Sequence, residues 1–242
     1  GLEGDCTIEY LTFEDKEGQH VFWHSSAHVL GFALEKAYGA KLCIGPALAE
    51  GFYYDAYMGS KTISEEKDYK LIKDAAENAI KSNYPYQRLN LSKEEALQLF
   101  QDNPFKVQLI TKKVPDGGKT TAYRCGTLVD LCMGPHLMST SVVKFIEIHK
   151  NSSCYWLGNQ NNDTLQRVYG VTFPNQKELD EYLLLLEEAK KRDHRKLGKE
   201  LGLFVFSDLI GAGLPLWTVK GTIIREELQD FVWELRKARG YG

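Results

Sequence analysis

The sequence predicts an α+β fold in which antiparallel sheets pack with helices, followed by a long helix. Helical patterns cover 23–38 and 64–81, and a third helix begins at Ser92. Residues 105–173 form strand-like runs separated by turns. After Pro174 one helical pattern extends from Lys177 to about Leu201, with no Gly or Pro before Gly198. The order is a small β piece, an α+β body, a basic connecting helix and the start of a further element.

Taken in order, DCTIEYLTF (5–13) alternates apolar and polar residues, with β-branched and aromatic side chains, and is expected to be a strand. EDKEGQH after it is a turn. WHSSAHVLGFALEKAY (23–38) is a helix, ended by Gly39 where a left-handed residue usually stops one. Residues 41–58 mix short apolar runs with Gly45, Pro46 and Gly51, which suggests strand and loop. From about Ser64 to Lys81, Tyr69, Ile72, Ala76 and Ala79 share one helical stripe. Ser92 and Glu95 have the capping-box spacing, and Pro104 bounds the helix they open. VPDGGK (114–119) is a hairpin signal. VVKFIEIH (142–149), SCYWLG (153–158) and TLQRVYGVTF (164–173) are β-rich. AKKRDHRKLGK (189–199) carries six Lys/Arg against one Asp. A last helix spans Thr222–Arg239, with Ile224, Leu228, Phe231 and Leu235 on one face. No internal repeat is present.

The composition bounds the function. The 242 residues, at about 150 per domain, correspond to about 1.6 domains. Hydrophobic residues are 43% and charged residues 26%, ordinary for a globular protein and unlike a disordered or low-complexity chain. The longest aliphatic run, Leu183–Leu186, is far short of the ~20 residues that span a bilayer, so no membrane partner is expected. A net charge of -3 argues against a protein that coats nucleic acid by bulk charge, but leaves room for a local basic patch. Five cysteines, odd in number and scattered, argue against a disulfide framework and fit a reducing, cytosolic compartment. The chain opens at Gly1 and ends at Gly242, and is expected to be a piece of a longer protein.

Two short motifs carry chemistry. In His24-Ser-Ser-Ala-His28, a helix would put both imidazoles on one face at i,i+4. In Cys132-Met-Gly-Pro-His136, a Gly-Pro turn can fold the thiol and the imidazole together. Three imidazoles and one thiol make a zinc-ligand set. A structural zinc would use all four ligands, and a chain this long needs no such staple. A catalytic zinc keeps a position open for water. Either one residue stands off a metal, or no metal is present and His24 or His28 acts on water as a base near neutral pH. Lys106, in FKVQLI, sits in a β-like apolar run, and the pattern favours an edge-strand lysine pointing to solvent. Asp130, just before Cys132, is the matching anion or else a turn aspartate.

HSSAH (24–28), IGPALAEGFYYD (44–55), LVDLCMGPH (128–136), YWLG (155–158), LQRVYG (165–170) and RDHRKLGKELGLF (192–204) together resemble the threonyl-tRNA synthetases, collinearly over nearly the whole chain. The paired HxxxH and CxxxH set is similar to that of alanyl-tRNA synthetase editing domains and their free-standing relatives. The RDHRKLGKELGLF segment is not shared with those, so the threonyl resemblance is the stronger.

The resemblance implies the following. Residues 1–14 are the end of a β-grasp domain, and 15–175 an editing domain whose helices and sheets form a cleft. Residues 176–204 are a linker helix and 205–242 the incomplete start of a class II catalytic domain. The editing reaction hydrolyses the ester of seryl-tRNA(Thr). His24, Lys106 and His136 are the implied catalytic residues, with His24 and Lys106 holding the attacking water. Asp130 would bind the substrate ammonium. His28, Cys132 and His136 would line the pocket around the terminal adenosine and the ester, walled by Tyr54 and Gly45. Lys190, Lys191, Arg192, Arg195 and Lys196 would contact the tRNA(Thr) acceptor arm. Threonyl-type sites work without metal, so no cofactor is expected in this segment; alanyl-type sites hold zinc through the equivalents of His24, His28, Cys132 and His136. ATP and a catalytic-domain zinc belong to the full-length enzyme, expected to be a cytoplasmic homodimer. Met133 departs from the family's pattern. Phe22, Trp23 and Phe32 are expected to be core. Two other readings are a tRNA-binding module without hydrolytic activity and a free-standing trans-editing deacylase.

Overall fold

In the computed structural model, which describes residues 4–211 and 213–241, the expected first strand does not form. Residues 5–13 are irregular, with Ile8, Tyr10 and Leu11 exposed, because no described strand pairs with their alternating pattern. The first three residues of the 1–14 segment lie outside the described residues, as does residue 242 at the other end.

Helix α1 (Lys16–Tyr38) begins a full turn and more before Trp23. The stretch expected to be a turn therefore supplies its first residues. Gly39 stops the helix as expected, at φ 61°, its N–H donating to the Glu35 carbonyl. Phe22, Trp23 and Phe32 are buried, as their apolar flanks predict. Helix α2 (Glu65–Lys81) follows Ser64, and its stripe of Ile72, Ala76 and Ala79 is buried.

These two helices cover an antiparallel sheet ordered β1-β2-β7-β6, built from β1 (Lys41–Leu42), β2 (Phe52–Tyr57), β6 (Phe145–Tyr155) and β7 (Thr164–Phe173). The main core lies between them, where Leu30 and Leu34 of α1 and Ile72 of α2 join Phe52, Ile146 and Val168 of the sheet. Each such buried side chain contributes about 1.5–3 kcal/mol. Strand β6 is one continuous element; its register shifts between Ile148 and Lys150, a bulge that absorbs the gap between the two expected runs.

A second antiparallel sheet, β3-β4-β5, is formed by β3 (Tyr86–Ser92), β4 (Lys119–Cys125) and β5 (Leu128–Leu131). Helix α3 (Lys93–Leu99) opens with the expected capping box at Ser92 and Glu95. Pro104 does not close α3 but is the first residue of α4 (Pro104–Lys113). FKVQLI is therefore helical, not β-like. Asn103 caps α4 by accepting from the Phe105 and Lys106 N–H groups, and proline at the first helical position is preorganised for it. Phe105, Leu109 and Ile110 are buried at helical spacing. VPDGGK is then a turn from helix to strand, not a hairpin, with Gly118 N–H donating to the Pro115 carbonyl.

The chain divides into two compact units between Leu179 and Asp180. The long helical pattern also breaks, into α5 (Gln176–Lys191) and α6 (His194–Glu200). Asp193 starts the second piece by accepting from the Arg195 N–H, a local alternative that competes with helix continuation. The second unit continues with a short β8 (Phe204–Val205) and β9 (Leu216–Trp217) pair and α7 (Val219–Ala238). The α7 stripe of Ile224, Leu228, Phe231 and Leu235 forms but is exposed. No helix among the described residues is long and apolar enough to cross a membrane.

Candidate active site

The four motif residues meet. His24 and His28 lie on one face of α1, ring centroids 5.6 Å apart. Cys132 and His136 follow β5 on the segment that turns at Gly134. That glycine has φ 71°, and a Cβ there would lie 2.3 Å from the Tyr123 hydroxyl, so no other residue fits the turn. Cys132 Sγ is 3.3 Å from His24 Nε2 and 3.2 Å from His136 Nε2. The four donor atoms lie within 4.8 Å of one another, and three imidazoles with one thiol suit a tetrahedral zinc. Three of them also partner one another by hydrogen bonds through the sulfur, His24 and His136 each meeting Cys132, with the Gly134 N–H as a further donor to it. His28 takes no part, and its buried Nδ1 has no hydrogen-bond partner among the described residues.

Beside them sits a buried ion pair. Lys106, in the first turn of α4, is 3% exposed, with its Nζ 2.5 Å from Asp130 Oδ1. The solvent-facing edge-strand reading fails here, because the helix turns this side chain inward onto a carboxylate. Asp130 belongs to β5, not to a turn, and is as deeply buried. The Tyr54 hydroxyl donates to its other oxygen, and His28 Nδ1 lies 3.4 Å away. Gly45 is the reason Tyr54 fits, since a Cβ at this glycine would come within 2.4 Å of the tyrosine ring.

A cavity of about 540 Å³ joins these groups. His24, His28, Lys106, Asp130 and Cys132 line it, together with Gly45 and Tyr54. Ile44, Leu109 and Leu131 make its apolar part, and exposed Met133 sits at its rim. His136 is placed differently from the expectation of a pocket residue. It stands behind Cys132, outside the lining, stacked on Tyr86 at 5.2 Å and met edge-on by Tyr123 at 4.4 Å.

Burial sets the charge states. It lowers His24 below its ordinary value, with His20 adding to the effect. It holds His136 well below the usual range and pushes the Cys132 thiol up to about 11. Burial alone would raise Asp130, but the Lys106 ammonium, His28 and Tyr54 together hold it below the usual carboxylate range. At neutral pH the cavity thus presents neutral imidazoles, a thiol and one ammonium–carboxylate pair.

His28 makes stability depend on pH. Burial depresses it from 6.5 to about 4, against the opposing pull of Asp130. Between those values the unfolded chain binds a proton that the folded chain refuses, so stability falls as pH drops. The expected loss is up to about 3 kcal/mol from this group, read as a falling urea midpoint between pH 7 and pH 4.5. His28→Gln is expected to make that slope shallower, while the depressed His24 and His136 keep their shares; an unchanged slope contradicts the assignment.

Several residues escaped the sequence reading. Asn103 fixes the Lys106 turn and ties it to the Leu42 carbonyl; the Asn-Pro pair was its signal. Ser25, Tyr86 and Tyr123 surround His136, and nothing in the local pattern marks the two tyrosines. The basic residues lie in the second unit. Lys190 and Lys191 end α5, Arg192 lies at the break, and Arg195 and Lys196 are on α6, all exposed. Lys191 and Arg192 reach Glu188, Arg195 reaches Asp193, and Lys196 lies 4.0 Å from Glu200. Such exposed pairs are worth about 0–1 kcal/mol, so they yield readily to another anion.

Residues 120–169 match the family model described as the threonyl and alanyl tRNA synthetase second additional domain. Over 240 residues, 99% of the chain, it is 46% identical to the probable threonine–tRNA ligase 1, cytoplasmic, of Dictyostelium discoideum, covering 33% of that protein. It is 47% identical over the same share to the cytoplasmic threonine–tRNA ligase of Caenorhabditis elegans, again covering 33% of it. The Saccharomyces cerevisiae cytoplasmic enzyme is 45% identical over 246 residues, 98% of this chain and 33% of that one. The chain spans about a third of the length of these relatives. The chain is thus similar, over nearly its whole length, to about a third of these threonine–tRNA ligases, and its residues 120–169 match the second additional domain shared by threonyl and alanyl tRNA synthetases.

Proposed function

We propose that this segment hydrolyses the ester of mischarged seryl-tRNA(Thr). The observation that supports it most is the cavity in which a buried Lys106–Asp130 pair faces His24 and Cys132. A thiol-and-imidazole cluster alone would suit metal storage. A fixed ammonium beside a neutral base suits attack by water on a carbonyl.

Serine lacks one methyl of threonine, and a pocket that accepts the larger side chain cannot strongly reject the smaller. That difference is worth about 1–3 kcal/mol, or roughly 10–200-fold. A second pocket that admits serine and clashes with the threonine methyl restores the discrimination.

In the proposed reaction, water held between His24 and Lys106 adds to the ester carbonyl carbon, and His24 takes its proton. The carbonyl–ribose oxygen bond then breaks, the ribose oxygen leaves with the proton returned from His24, and serine and tRNA(Thr) are released. The Lys106 ammonium steadies the negative charge that develops on the carbonyl oxygen. A carboxylate has about four acceptor sites. Lys106, Tyr54 and His28 approach three sides of Asp130, which leaves a direction for the substrate ammonium. Tyr54 and Gly45 wall the adenosine end with His28. His136 acts from behind, through Cys132, rather than on the substrate. The basic residues 190–196 are proposed to contact the tRNA backbone.

The site is proposed to work without metal, since His24, Cys132 and His136 already partner one another through the sulfur. Metal analysis of chain purified without chelator is expected to find no stoichiometric zinc. One equivalent of zinc, lost in Cys132→Ser, would instead mean a saturated site. ATP-dependent aminoacylation, a cytoplasmic location and a homodimer are proposed for the whole enzyme, by analogy with the relatives. The test is a single-turnover incubation with the protein in excess over Ser-tRNA(Thr). Rapid loss of the ester supports the reading, and an ester as stable as in buffer refutes it.

A further inference from the structure

Ser25 is wholly buried within the HSSAH helix, yet its side chain touches the other half of the site. Its Oγ donates to the Val21 carbonyl at 2.8 Å, four residues back along α1. The same oxygen accepts from the Leu137 N–H at 2.9 Å and lies 3.3 Å from His136 Nδ1. A serine hydroxyl has one proton and two lone pairs. The proton is committed to Val21 and one lone pair to Leu137. Only a lone pair remains for His136, so Nδ1 must carry the hydrogen.

We infer that Ser25 is a positioning residue that locks His136 in its Nδ1–H form, leaving the Nε2 lone pair aimed at Cys132. A neutral imidazole has one N–H, so Nε2 can only accept, and the group 3.2 Å from it is the Cys132 sulfur. The thiol hydrogen then points to His136. The sulfur lone pairs are left to accept from His24 Nε2–H and the Gly134 N–H. One hydroxyl thus sets the direction of the whole chain from Ser25 through His136 and Cys132 to His24. The ring plane is fixed separately, by the Tyr86 stack and the Tyr123 edge, and the Tyr86 hydroxyl anchors itself on the Ser25 carbonyl. Partners of this kind, one step behind the groups that do the chemistry, orient imidazoles and select their tautomers.

The consequence for rate rests on the proposed hydrolytic reading; the tautomer does not. The test is a long-range proton–nitrogen NMR spectrum of the chain labelled with ¹⁵N-histidine, with His136 assigned by its loss in His136→Asn. The wild type is expected to show His136 as a single Nδ1–H tautomer. Ser25→Ala is expected to give a mixture or the Nε2–H form, and a 10- to 100-fold slower deacylation at saturating protein, with half-saturation unchanged. Ser25→Thr keeps a hydroxyl that can still bond the preceding turn, and is expected to keep the tautomer. An Nε2–H tautomer in the wild type overturns the inference even if both variants fail to fold. So does an unchanged Nδ1–H tautomer in a folded Ser25→Ala. If the wild type shows the expected tautomer but leaves Ser-tRNA(Thr) intact, the hydrolytic reading fails and the positioning role stands.

Discussion

Lys106→Met is expected to reduce Ser-tRNA(Thr) hydrolysis to the uncatalysed rate and to destabilise the fold by about 3–5 kcal/mol, the cost of leaving one member of a buried ion pair alone. The large effect follows from depth. Both partners are only 3% exposed, and Nζ lies 2.5 Å from the carboxylate. Methionine fills a similar volume, so little of the loss comes from a cavity. What remains is a carboxylate out of water with its main counter-charge gone, since the tyrosine hydroxyl and the neutral imidazole beside it bring no positive charge. Adding Asp130→Asn should recover most of the stability, because the buried charge is then removed as well. It should recover none of the activity, because the ammonium is still missing. Urea unfolding and single-turnover deacylation on the wild type, Lys106→Met and the double variant separate the two effects. A Lys106→Met chain that loses activity with unchanged stability would mean the pair is not formed in solution.

His24→Ala is expected to slow deacylation by about 10²-fold or more, the scale of losing a general base. Stability should change far less than for Lys106→Met, since His24 is half-buried and carries no charge at neutral pH. The pH profile provides the sign. A base must be deprotonated to act, and burial moves His24 below its ordinary 6.5. The rate should therefore be flat at neutral pH and fall only on the acid side, at a pH below 6.5. That acid limb should vanish in His24→Ala. Hydrolysis at the wild-type rate in this variant would remove His24 from the mechanism and leave Lys106 without its partner on the water.

The chemistry of the site was legible in the sequence because its spacing is local. HSSAH needs only a helix to align two imidazoles, and Cys132 and His136 need only one turn. The Ser92 capping box and Gly39 were legible for the same reason. Lys106 was misread because its apolar neighbours look alike in a strand and in a short helix. The Asn103-Pro104 start signal settles the choice, whereas Pro104 by itself reads equally as the bound of the preceding helix. The strand expected at 5–13 failed for a different reason: alternation describes a strand that has a neighbour, and none pairs with it among the described residues. Asp193 could have been read as a cap inside the basic helix, where charge counting hid it. The setting of His136 was out of reach, since Tyr86 and Tyr123 come from neighbouring strands and meet the imidazole only through the fold.

The most direct test of the account compares two esters on the same tRNA. With the chain in excess, Ser-tRNA(Thr) and Thr-tRNA(Thr) are incubated separately and the remaining ester is followed with time. The account requires the serine ester to be cleaved well above its rate in buffer, in wild type but not in Lys106→Met, while the threonine ester survives. Equal cleavage of both esters, or none of either, would contradict it.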